Sequence, residues 1–178
     1  VGAWQLMRVC KPARAGAKEF LRTLPGLVVC GGYADVGRVS DVLRLDLATM
    51  RWTPMPALVT ARYNHACCAV RGTLVVLGES TTAEGGLTSS VEILSSSEEG
   101  GAFVDLPPLS CGRIFGASAV AVDESDSAAG QVLLIGGHDG SEILSTMQLV
   151  DLATGACELQ NNLLHPRVYS AAGRLADG

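Results

Sequence analysis

QVLLIGG at residues 131–137 is a short apolar run halted by two glycines, and LVVCGG at 27–32 repeats it. A third copy, TLVVLGE at 73–79, carries Glu79 where the second glycine should stand. Four to five apolar residues followed by such a stop read as a buried strand entering a turn. Glycine suits the stop, because it accepts positive φ and lets another backbone approach.

Each run is followed by a polar loop and a second strand: DVLRLDL at 41–47, SVEIL at 90–94 and TMQLVDL at 146–152. The first and third copies continue into Asp-Leu-Ala-Thr, at Asp46–Thr49 and Asp151–Thr154. These are turn sequences, since Asp and Thr side chains can cap nearby backbone amides. A third strand is expected around Trp52, Phe103 and Cys157, then a Pro-containing stretch, then an arginine: Arg62, Arg113 or Arg167. After each arginine a further strand begins: HACCAV at 65–70, FGASAVAV at 115–122 and VYSAAGRL at 168–175. Backward, Trp4, Met7, Ala13 and Arg14 match Trp52, Met55, Ala61 and Arg62, so the arginines recur at intervals of 48, 51 and 54 residues. Four short strands per unit of about 50 residues is the periodicity of a propeller blade. One stretch resists the register: Ala13–Leu24 is rich in helix formers where the repeat predicts a strand.

The order of glycine doublet, Asp turn, Trp and arginine resembles the kelch repeat, from Trp4 to about Leu175. Leu45 and Val150 stand where that family has tyrosine, and Phe103 and Cys157 replace its tryptophan. The resemblance implies an all-β, kelch-type β-propeller segment over 1–178, with three full four-stranded antiparallel blades at about 14–61, 62–112 and 113–166. Partial blade strands near 1–9 and 167–175 flank them. Three blades are too few to close a ring, so an open or incomplete propeller is expected, able to associate through its edges or with missing blades. The chain opens on Val1 rather than Met, so an upstream sequence is expected.

Composition narrows the function. The net charge is −5, with no run of Lys or Arg, which argues against nucleic acid and anionic membrane surfaces. No apolar stretch reaches the length of a membrane span. The six cysteines, Cys10, Cys30, Cys67, Cys68, Cys111 and Cys157, lack C-x-x-C spacing and read as reduced, mostly buried thiols. With no N-glycosylation sequon, they point to the cytoplasm, with the nucleus as the alternative. His65, His138 and His165 occupy three different repeat positions, which argues against a shared metal. The acidic stretch Asp123–Ser127 and the turn Ser95–Gly101 read as solvated insertions. No phosphate loop or nucleophile elbow is present, so no catalytic residue, metal or cofactor is expected.

The resemblance implies a protein-interaction module, a scaffold or substrate adaptor. Its partner would sit on loops that follow the doublets and precede the post-arginine strands. In this chain those loops hold Tyr33, Asp35 and Arg38; Arg62 and Tyr63; Arg113 and Ile114; His138, Asp139 and Glu142; and Arg167 and Val168, the arginines Arg62, Arg113 and Arg167 reading first as loop caps that bond backbone carbonyls within the fold and second as rim contacts. Tyr33, Arg38, Tyr63 and His138 are the expected anchors, since Tyr, Arg and related side chains concentrate interface energy. The alternative is a propeller enzyme acting on a sugar, such as a mutarotase or isomerase. It needs a convergent set of ionisable residues that the sequence does not display.

Overall fold

The computed structural model describes residues 5, 11–24, 26–79, 88–95, 101–112, 114–122 and 127–175. Strands make up 40% of it and helix 9%, in four antiparallel sheets of which none closes into a barrel. The chain forms two compact units: Val1–Cys30 with Asp41–Ala57, and Gly31–Ser40 with Leu58–Gly178. No helix among the described residues is long and apolar enough to cross a membrane.

The smaller unit holds helix α1 (Lys11–Thr23) and strands β1 (Leu27–Cys30), β4 (Val42–Asp46) and β5 (Arg51–Pro54) in the order β1-β4-β5. Here the structure corrects the repeat register, because 13–24 is helix rather than strand. Local chemistry explains why. Pro12 sits in the first turn, where proline is tolerated, and Thr23 is the helix's sole β-branched residue. Ala17 and Leu21, four apart and therefore on one face, are buried. The first sheet thus has three described strands, not the four of a full blade. Asp46 makes the expected turn: its Oδ1 accepts the amides of Ala48 at 2.7 Å and Thr49 at 3.1 Å.

The larger unit contains two four-stranded sheets and a two-stranded hairpin. One sheet is β6 (Ala66–Val70), β7 (Thr73–Leu77), β8 (Val91–Ser95) and β9 (Ala102–Leu106), in sequence order. The other is β10 (Ser118–Val122), β11 (Gln131–Ile135), β12 (Met147–Asp151) and β13 (Cys157–Leu159), also in sequence order. The first strands, β6 and β10, pack against each other. Val75, Leu77, Val91, Val132, Leu134, Val150 and Leu152 form a continuous core across both sheets. Burying a valine or leucine this fully contributes about 1.5–3 kcal/mol each. Phe103 joins the buried set, whereas Trp52 of the smaller unit is half exposed. The Asp151 turn matches the Asp46 turn, its Oδ1 accepting the amides of Ala153 and Thr154, each at 3.0 Å.

A further strand does not form at 168–175. Its beginning is engaged: Tyr169 donates its amide to Gly116, and Ser118 Oγ donates to the Ser170 carbonyl at 2.6 Å. Trp4, Met7, Arg113 and the acidic residues Asp123–Asp126 lie outside the described residues, as does most of the 95–101 turn.

Candidate functional site: a rim of loops

The loops are spaced by a repeated pair of backbone hydrogen bonds. The amide after each strand-stopping glycine donates to a carbonyl in the following loop: Gly32 to Arg62 (2.8 Å), Glu79 to Ile114 (3.2 Å) and Gly137 to Arg167 (2.7 Å). The stopping glycines Gly31, Gly78 and Gly136 all have positive φ, near 60–70°. A Cβ at any of them would press on that same carbonyl, at 2.6 Å for Gly31. The doublets are therefore stops made by backbone contact, and Glu79 is accommodated because its backbone does not take the positive φ of Gly32 and Gly137.

This contact also corrects the repeat spacing. The counterpart of Arg62 and Arg167 is Ile114, not Arg113. Two residues on, Asn64, Gly116 and Tyr169 share positive φ of 54°, 62° and 56°. They are linked in turn: the Gly116 amide donates to Asn64 and the Tyr169 amide to Gly116, both at 2.7 Å. The position after Arg62 is consequently Tyr63, Phe115 and Val168. Phe115 went unrecognised in the sequence because a one-residue slip put Ile114 in its place.

Aromatic groups gather on these loops. Tyr33, in the hairpin of β2 (Tyr33–Ala34) and β3 (Gly37–Arg38), meets Tyr63 edge-on with ring centroids 5.5 Å apart. Tyr33 is 73% exposed, and Val36 at the hairpin tip 87%. Phe115 stacks on His138 at 4.7 Å and lies 6.3 Å from Tyr169, which is 63% exposed. Reciprocal backbone bonds between Phe115 and His138 fix that stack. His138 Nδ1 accepts the Gly140 amide at 2.8 Å, which leaves Nε2 to carry the proton of the neutral ring.

The remaining candidate residues divide. Asp35, Arg38, Glu142 and Arg167 are exposed on the loops. Asp139 is also exposed, but its carboxylate is occupied within its own loop. Oδ1 accepts the amides of Glu142 and Ser141 and the Ser141 hydroxyl, and these bonds hold its pKa down at about 2.

Arg62 is a correction: it is completely buried and cannot be a rim contact. It pairs with the equally buried Glu92, and also donates to the Gly78 carbonyl at 2.7 Å and Ser90 Oγ at 3.1 Å. Glu92 accepts the amides of Val59 (2.8 Å) and Thr60 (3.1 Å), so the ion pair locks the 59–62 loop onto β8. Nothing local in the sequence announces this, because the partner lies 30 residues away.

No protein-family model matches the chain, and no curated protein matches it.

Proposed function

We propose that this chain is a kelch-type propeller segment whose loop rim binds a protein partner. Two features support the propeller reading: successive four-stranded sheets laid down in sequence order, and first strands packed side by side on a shared core. The rim itself carries the binding reading. Its most telling observation is the group of ordered aromatics, Tyr33 with Tyr63 and Phe115 with His138 and Tyr169, half-buried to exposed on loops tied down by backbone bonds. Aromatic side chains on rigid loops present large contact area with little entropy left to lose, which is how interface anchors work. The described cysteines form no disulfide, which fits a reducing compartment, and we assign the protein to the cytoplasm on that ground.

The test is capture of partners with the full-length protein, followed by calorimetry with alanine variants. Tyr33→Ala, Tyr63→Ala or His138→Ala should each cost about 2 kcal/mol or more of affinity at a true anchor. The melting temperature of Tyr33→Ala should stay within about 2 °C of the parent, since its side chain is largely in solvent. Binding that survives all three substitutions would remove the rim as the contact surface.

A further inference from the structure

Away from the rim, two cysteines 46 positions apart are held together. Cys157 opens β13, and Cys111 lies in the connection between β9 and β10. The Cys111 amide donates to Cys157 Sγ at 3.3 Å. Around them, the Cys157 amide donates to Ser110 Oγ at 2.9 Å and the Ser110 amide to the Gly155 carbonyl at 2.8 Å. Gly155 sits so close to the Pro108 carbonyl that a side chain there has no room. The connection and the β12–β13 turn are thus interlocked, with the two sulfurs at the joint. Neither sulfur is in a disulfide, and both residues are half-buried rather than sealed in the core.

The pair is asymmetric. The neighbouring Cys111, through its side chain and its amide, lowers the Cys157 thiol below the ordinary range, while Cys157 and burial raise Cys111. A thiolate beside a protonated thiol supplies a nucleophile and a resolving partner.

We propose that Cys111 and Cys157 form a hydroperoxide-reactive dithiol that closes to a disulfide tying the 107–112 connection to β13. The Cys157 thiolate attacks a peroxide oxygen, the O–O bond breaks, and hydroxide leaves as sulfenic acid forms. Cys111 sulfur then attacks Cys157 sulfur, the S–O bond breaks, and water leaves with the Cys111 proton. The peroxide is reduced by two electrons and the thiol pair is oxidised by two.

Tryptic digestion separates the outcomes cleanly. Cleavage after Arg71, Arg113 and Arg167 places Cys111 alone in 72–113 and Cys157 alone in 114–167. After equimolar hydrogen peroxide, mass spectrometry should find these two peptides joined, lighter by two hydrogens and separated again by dithiothreitol. In Cys111→Ala, dimedone should trap the sulfenic acid at Cys157. In the parent that label should be nearly lost, because Cys111 resolves it first. The proposal fails if dimedone labels Cys157 equally in both proteins. It also fails if Cys67 or Cys68 oxidises while the 72–113 and 114–167 peptides stay apart. The parent protein alone decides the cross-link, so a poorly folded variant leaves the test intact.

Discussion

The loops ending at Arg62 and Arg167 occupy the same place in the repeated pattern, two units apart, and their backbones do the same work. Each carbonyl accepts the amide of a preceding doublet. The side chains have opposite fates: Arg62 is sealed in the core against Glu92, and Arg167 stands in solvent. Between them, Ile114 fills the equivalent place with a buried apolar group. What repeats in this molecule is therefore a pattern of main-chain contacts, and the side chain at the contact is free to become core, ion pair or surface.

The strongest way to break that comparison is to truncate all three side chains. Arg62→Ala should cost about 3–5 kcal/mol in urea unfolding, because it strands a buried Glu92. Ile114→Ala should cost about 2–4 kcal/mol through the cavity it leaves. Arg167→Ala should stay within about 0.5 kcal/mol. Equal costs at the three positions would mean that the side chains, too, are doing one repeated job.

Next in size are the stopping glycines. Gly78→Ala and Gly136→Ala should each lose about 2 kcal/mol or more, since a Cβ at positive φ meets a backbone oxygen that cannot yield. Gly173→Ala, at negative φ with open space around it, should be nearly neutral. Gly101 makes a poor control: it has positive φ, and a Cβ there would meet the Ser95 carbonyl at 2.6 Å.

The smallest effect sharpens the comparison at the divergent doublet. Glu79 is buried, and burial raises its pKa against the opposing pull of Arg38. A carboxyl raised in the folded state costs stability as pH rises through the folded pKa. Glu79→Gln should therefore melt slightly higher than the parent at pH 7, and the gap should close on acidification below that pKa. A gap that widens in acid would mean that Arg38 governs the site instead.

Much of the sheet structure was legible because strands between turn residues advertise themselves. The runs at 27–30, 73–77 and 131–135, their partners, and the Asp46 and Asp151 turns all appear where the pattern put them. Ala13–Leu24 was ambiguous for a physical reason: helix propensity and repeat register disagreed there, and propensity prevailed. The register slip at Arg113 was invisible because Asn64 and Tyr169 adopt positive φ without being glycine. Of the candidate site, Tyr33, Tyr63 and His138 were readable as loop residues. Arg62 was readable as a donor to backbone carbonyls within the fold, but its pairing with Glu92 was not, since it depends on a carboxylate from another strand.

Two of the backbone bonds that join the sheets of the larger unit run in opposite senses. Glu79 donates forward to Ile114, while Gly116 donates backward to Asn64. Sliding one sheet along the other would break both bonds at once, whichever way it moved. Opening them like a book, about the loops that carry the staples, would strain these bonds far less. At the opposite end of the strands Arg71 donates to the carbonyls of Ala128 and Ser127, each at 3.2 Å, so that opening is resisted there and the two sheets should move as one body.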